Sequence, residues 1–237
     1  MVIGGFQKTT LIDFPGRLAA TVFLFGCNFR CPWCYSPELV LPGRMRSQPK
    51  ISEKYFFDFL KERRGLLEAV VICGGEPTIA KNLPEFIGKI KKIGYLVKLD
   101  TNGSNPKMLE DLIGKKLIDY VAMDIKQSQK SNIKSQKYDE ATGVKVNLED
   151  IKKSVEIIKN SGIDYEFRTT VVPGIHTKED ILQIVRDISP AKRYYLQSFR
   201  PEKTLNSKLA SLKPYPQEFL LEIQKAISPF FEACQAR

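Results

Sequence analysis

Six short runs of apolar and β-branched residues recur along this chain of 237 residues, and they limit its fold more than any other feature. They are Ala19–Phe25, Ala69–Cys73, Tyr95–Leu99, Tyr120–Met123, Tyr165–Val171 and Tyr194–Phe199. Strands with one wet face alternate apolar with polar residues. These runs are nearly continuous, as strands buried on both faces must be, which is the condition of a parallel sheet covered by helices. The intervening segments carry helix punctuation. Asn105-Pro106 reads as an N-cap followed by a first-turn proline, ahead of Leu109, Leu112 and Ile113. Leu83, Phe86, Ile87 and Ile90 share a helical face that Gly94 terminates. Asn147 opens a helix through Leu148, Ile151, Val155 and Ile158 that Gly162 stops, and Thr177 with Asp180 opens another.

The expectation is an α/β fold of six β-then-α units joined by right-handed crossovers. Six units are too few to close an eight-fold barrel. The predicted architecture is therefore a partial, open (β/α)6 TIM-type barrel with parallel strands, a doubly wound sheet being the alternative. One domain is expected across residues 1–237, with a last helix at about 217–234. Lys126–Lys137 carries four lysines among Gln, Ser and Asn and reads as a mobile basic loop within that domain.

The longest apolar stretch, Leu18–Phe25, is far short of the roughly 20 residues that cross a bilayer, which excludes a helical membrane span there. The run from Arg17 to Gly26-Cys27 superficially resembles a lipoprotein leader. It fails as one because Asp13 and Pro15 lie upstream and bulky Phe25 stands where a small residue is needed. Lys and Arg number 37 against 27 Asp and Glu, a formal charge of +10. That excess favours anionic partners or reflects a lysine-rich surface. Five cysteines, three of them crowded at Cys27, Cys31 and Cys34, do not form the even, dispersed set of a secreted disulfide framework. A cytoplasmic setting, with thiols kept reduced as ligands, is expected.

Cys27-Asn-Phe-Arg-Cys31-Pro-Trp-Cys34 follows the first run directly and so falls in a βα loop. Three soft thiolates this close can converge on one metal centre at little cost in loop entropy. Zinc would close a tetrahedral site with a fourth ligand from Cys73, Cys234 or the single histidine, His176. An iron–sulfur cubane on three cysteines leaves one iron without a protein ligand, open to a small molecule. Spacing alone leaves both open.

The C-x3-C-x2-C triad, with Trp33 before its last cysteine, and Gly74-Gly75-Glu76-Pro77 after the second run resemble the signatures of the radical S-adenosylmethionine (SAM) superfamily. Leu11-Ile-Asp-Phe-Pro-Gly16 before the triad and Pro37-Glu38-Leu39 after it are similar to the activating proteins of anaerobic ribonucleoside-triphosphate reductases, relatives of the pyruvate formate-lyase activating enzymes. The resemblance covers about residues 5–200. It implies that Cys27, Cys31 and Cys34 hold a [4Fe-4S] cluster whose open iron is chelated by SAM. One electron, from a donor such as flavodoxin or ferredoxin, then splits SAM into methionine and a 5′-deoxyadenosyl radical.

The same resemblance implies that Gly74 and Gly75 face the SAM amino group with Glu76 supporting their loop. It places Asp100 and Thr101 beside that group or a monovalent cation, and Asp124 toward the ribose or cation. Lys126 faces the SAM carboxylate and Arg168 lines the pocket. The implied partner is a glycyl-radical enzyme, with neither membrane nor nucleic acid involved. The residues themselves are consistent with these roles. A glycine pair permits close backbone approach, a lysine with two acids complements a zwitterion, and an arginine inside an apolar strand needs a partner. Asn102-Gly103 reads as a turn. Cys27, Gly74, Asp100 and Asp124 each lie at the carboxyl end of a different predicted strand, the face where barrel enzymes build their sites.

The chain departs from the family at Tyr35-Ser36, where many relatives carry His-Asn, and at Arg200, near Gln197, where formate-lyase activases carry a histidine. Cys73 reads as a small buried apolar residue, Cys234 as incidental and His176 as a loop residue. The alternatives are a radical SAM enzyme acting on another glycyl-radical enzyme, on a deazapurine-type molecule or on RNA, the last prompted by the Lys126–Lys137 segment. A zinc-stabilised binding module is the non-enzymatic alternative.

Overall fold

The structure, a computed structural model, describes residues 1–129 and 132–237, and their side chains other than those of residues 132–135. In chain order its strands and α-helices begin with β1 (Ile3–Thr10), β2 (Ala19–Leu24), α1 (Pro37–Val40), α2 (Pro42–Ser47), α3 (Glu53–Glu62) and β3 (Ala69–Gly74). There follow α4 (Leu83–Ile93), β4 (Leu96–Thr101), α5 (Pro106–Gly114), β5 (Tyr120–Asp124), α6 (Asn132–Thr142) and α7 (Leu148–Asn160). The chain continues with β6 (Asp164–Val171), α8 (Lys178–Ile188), β7 (Ala191–Ser198), α9 (Gln217–Ile227) and β8 (Phe231–Ala236). Two compact units share these elements. One comprises Met1–Asn28, Glu38–Thr101 and Lys107–Val121; the other comprises Phe29–Pro37, Asn102–Pro106 and Ala122–Arg237. Strand β5 begins in the first and ends in the second.

In the first unit β2, β3 and β4 run parallel, with Ala19 opposite Ala69 and Ala69 opposite Leu96. Ala69–Ile72 are wholly buried, which explains why the run carries no polar residue. Helices α3 and α4 turn Phe56, Phe59 and Leu60, and Leu83, Phe86, Ile87 and Ile90, into the core. Phe56 stacks on Phe86 at 5.5 Å between ring centroids and meets Phe6 of β1 edge-on at 5.2 Å. Gly94 closes α4 in the left-handed region, as its position predicts. Strand β1 was not legible in the sequence. It pairs antiparallel with β2, Ile3 opposite Leu24, and its two glycines and exposed Gln7 and Lys8 give no apolar run. Polar residues of this kind suit an edge strand.

In the second unit β6, β7 and β8 are parallel, with Phe167 opposite Tyr194 and Ala191 opposite Phe231. The expected helix over about 217–234 is corrected: α9 ends at Ile227, a 3-10 turn spans Ser228–Phe230, and β8 follows. Pro229 cannot donate to a continuing helix, and Phe231 gains a stacked contact with Tyr194 at 5.1 Å. The expected Lys126–Lys137 loop is corrected as well. Gln127, Ser128 and Gln129 are buried, and both Ser128 Oγ and the Gln129 backbone N–H donate to Asp187 at 2.7 Å. From Asn132 the chain is helical; Lys130 and Ser131 lie outside the described residues. Helix α6 escaped notice because Tyr138 and Ala141 are the only described apolar side chains it buries, too few to make a stripe.

Strands neighbour one another in chain order, β1 to β5 through the first unit and β5 to β8 through the second. This sequential order is that of an open, partial barrel and differs from the doubly wound alternative, whose order reverses at a switch point. The six expected strands are β2–β7; β1 and β8 are added at the edges, and β1 breaks the all-parallel expectation. Among the described residues no helix is long and apolar enough to cross a membrane.

Candidate active site

In the first unit the residues of interest follow the carboxyl ends of β2, β3 and β4. Cys27 lies three residues beyond β2, and Gly74 closes β3. An added Cβ on Gly74, whose φ is +121°, would fall 2.2 Å from Leu24 N; on Gly75 it would fall 1.8 Å from Gly26 O and 3.1 Å from Cys27 N. The glycine pair thus lets the end of β3 lie directly against the loop that carries Cys27. Backbone bonds fasten it there, Gly75 N–H to Leu24 O at 2.9 Å and Glu76 N–H to Gly26 O at 2.7 Å.

Glu76, 2% exposed, caps the 3-10 turn Pro77–Ile79 and gathers three donors on Oε1. These are the Thr78 backbone N–H at 3.1 Å, Thr78 Oγ1 at 2.6 Å and Thr101 Oγ1 at 2.7 Å. The strand ends carrying Gly75 and Thr101 are thereby joined through one carboxylate. Asp100 is paired too: Lys98 Nζ, buried in β4, donates to its Oδ1 at 2.5 Å. Sequence reasoning missed Lys98. Its signal was available, since a lysine two residues from an aspartate in an apolar strand shares that residue's face.

In the second unit Cys31 and Cys34 share a tight turn, closed by Cys34 N–H to Cys31 O at 2.9 Å. The preceding Arg30 donates its N–H to Thr142 O at 2.7 Å, and Gly143, at φ +67°, leaves no room for a Cβ, which would sit 2.4 Å from Arg30 O. The C-terminal end of α6 is therefore a seat for the cysteine turn, a second feature the sequence did not announce. Asp124, at the end of β5, accepts from Arg168 Nε at 2.8 Å and from Lys126 Nζ at 3.1 Å. Burial raises the Asp124 pKa, but Arg168 and Lys126 outweigh it and hold the carboxyl far below the usual carboxylate range. Burial lowers the pKa of Lys126 and Asp124 more than restores it, so Lys126 stays protonated. Arg168 reaches Glu166 at 3.8 Å, and Arg237 meets the same carboxylate at 3.2 Å.

The two departures from the family pattern meet each other. Arg200 places its guanidinium 6.0 Å from the centre of the Tyr35 ring. Cys73 is partly buried against Phe14, Ala19, Ala69, Val71 and Tyr120, close to its expected packing role. His176 lies in the β6–α8 connection, as a loop residue would, but its side chain is buried.

The profile of the radical SAM superfamily matches residues 21–188. The chain belongs to this superfamily. A protein of Methanocaldococcus jannaschii, named provisionally as a glycyl-radical enzyme activating enzyme, is 34% identical over 92% of this chain and 87% of its own length. A 7-carboxy-7-deazaguanine synthase of Aquifex aeolicus is 38% identical over 38% of each chain. Among solved structures, Streptococcus suis SuiB bound to S-adenosylmethionine aligns with a TM-score of 0.66 at 14% identity, covering 92% of this chain and 51% of that one. The chain thus spans about half the length of SuiB, and the likeness shows the fold alone.

Membership brings a [4Fe-4S] cluster and SAM as cofactors. The donor chemistry of the triad fits. Cys27, Cys31 and Cys34 are thiols not joined in disulfides, and sulfur is the ligand iron–sulfur clusters take. Burial pushes the Cys31 thiol up to about 11, and the ammonium of Lys126 works against that rise. Among the described residues no three His, Cys, Asp or Glu side chains are already gathered as a metal site.

Proposed function

We propose that this radical SAM enzyme is a glycyl-radical enzyme activase, acting in the cytoplasm on an anaerobic ribonucleoside-triphosphate reductase. The observation that carries this reading is the 34% identity to a protein of that name across nearly the whole of both chains. Cys27, Cys31 and Cys34 are the cluster ligands. When bound, the reduced cluster supplies one electron to cleave SAM, and the carbon radical so released takes a hydrogen atom from a glycine Cα of the partner.

The chain's own residues supply binding and charge. Lys126 is the counter-ion for the SAM carboxylate, and Asp124, kept ionised by Arg168 and Lys126, faces the ribose or a monovalent cation. Asp100 and Thr101 serve the amino group or a monovalent cation, with Lys98 and Glu76 holding them in place. Gly74 and Gly75 present backbone to the same group. The electron comes from a flavodoxin- or ferredoxin-type protein.

Chemically reduced, anaerobically reconstituted protein mixed with SAM and the reductase should give a glycyl radical by electron paramagnetic resonance, together with one 5′-deoxyadenosine per radical. SAM cleavage with no radical on the reductase would redirect the substrate, for instance toward the deazapurine chemistry of the partial relative. A colourless, zinc-loaded protein would defeat the cofactor assignment itself.

A further inference from the structure

His176 is 1% exposed and sits among parts of the second unit that are distant from one another in sequence. The Val172 backbone N–H donates to its Nδ1 at 3.0 Å, and its Nε2 lies 2.8 Å from the carbonyl oxygen of Lys126. An amide N–H can only donate, so Nδ1 is the unprotonated nitrogen. A carbonyl can only accept, so Nε2 carries the hydrogen. One neutral tautomer satisfies both neighbours, and no other protonation state does.

The ring also meets the indole of Trp33 edge to face, at 5.5 Å between centroids. Trp33 immediately precedes Cys34, and Lys126 is the strand-end lysine paired with Asp124. The His176 backbone is held as firmly: its N–H donates to Val172 O at 2.9 Å and its carbonyl accepts from Tyr215 OH at 3.0 Å. Next to it the Gln127 side chain donates to Ile175 O at 3.4 Å, so a second link joins the same two segments.

We propose that His176 is a positioning residue, whose neutral imidazole ties the cysteine turn, through Trp33, to the backbone of Lys126. The two parts that must present the cluster ligands and the counter-charge of SAM are thus held as one piece. This rests on the roles given above to Cys34 and Lys126. A histidine that merely fills space would need none of the three directed contacts.

The chain has a single histidine, so nitrogen-15 magnetic resonance reads its ring without ambiguity, with or without cofactors. The expected result is the Nε2–H tautomer, unchanged as pH falls through the usual histidine range of about 6.5. The charged groups that act on it are Asp180, which favours the protonated ring, and Lys126 and Lys137, which oppose it. An Nδ1–H tautomer, or titration at the ordinary value, would overturn the proposal.

Two variants separate positioning from packing. His176→Asn keeps an acceptor for Val172 and loses the donor to Lys126, whereas His176→Gln can still reach Lys126. His176→Asn should raise KM for SAM about fivefold, as loss of one hydrogen bond would, with kcat little changed. It should also weaken the SAM-induced change in the reduced cluster's paramagnetic spectrum, and His176→Gln should recover most of both. Equal KM in both variants and the parent, with only a lowered Tm, would make the ring a core filler. Failure of the parent protein to cleave SAM would count against the proposed function, while the resonance measurement would still judge His176.

Discussion

Among the glycines, Gly75 leaves the least room for a side chain. Its missing side chain is required by the carbonyl of Gly26, which a Cβ would overlap, and by the amide of Cys27 just beyond. Neither contact is with a flexible side chain, so neither can yield without moving the backbone that carries Cys27. Gly75→Ala should therefore cost about 1–3 kcal/mol in unfolding free energy, read by denaturant titration, and should lower the iron bound per chain after reconstitution. Full iron content in the variant would show that the loop relaxes freely. The sequence signalled that some backbone approaches closely here. That the neighbour is the Cys27 loop of the same unit became visible only in the fold.

At the scale of elements, α8 has the most completely specified start. Thr177 Oγ1 accepts from the Asp180 N–H at 3.2 Å while Asp180 Oδ2 accepts from the Thr177 N–H at 3.0 Å, the reciprocal capping the sequence predicted. Lys137 of α6 adds an ion pair to Asp180 at 3.0 Å, which the sequence did not predict. Burial raises the Asp180 pKa, but the Thr177 amide, Lys137 and the Thr177 hydroxyl pull it down further, to below its ordinary 3.8. A carboxyl depressed in the folded state contributes stability fully above its unfolded pKa and loses that contribution as pH falls through the folded value. Asp180→Ala should thus cost about 1 kcal/mol at neutral pH, and the deficit should shrink in acid below about pH 3.8. Urea unfolding of both proteins across that range measures it; a deficit independent of pH would assign the loss to packing. The contrast with α6 is physical. A cap is written within four residues, whereas a polar helix that buries little is held by contacts the local pattern does not show.

Over the whole molecule the formal charge of +10 is the property most open to test. An acidic partner enzyme would be drawn to such a surface and released by salt, since exposed charges are screened within about 8 Å at physiological ionic strength. Glycyl-radical formation should slow severalfold as sodium chloride is raised, while SAM cleavage in the absence of partner holds nearly constant. Equal loss of both would place the salt effect in the active site and not in association.

What the chain's sequence determined was whatever is settled within a few residues. That includes the continuous apolar runs that became β2–β7, the caps at Asn147 and Thr177, the stop at Gly94, and the cysteine spacing with its glycine pair. Tertiary structure decided what depends on partners distant along the chain. Edge strands β1 and β8 exist because a neighbouring strand offers unpaired amides and carbonyls, not because their own residues insist on it. Glu76 meets Thr101 across 25 residues and His176 meets Lys126 across 50. No local periodicity encodes such meetings; they arise when strand ends are brought side by side and buried polar groups must find one another.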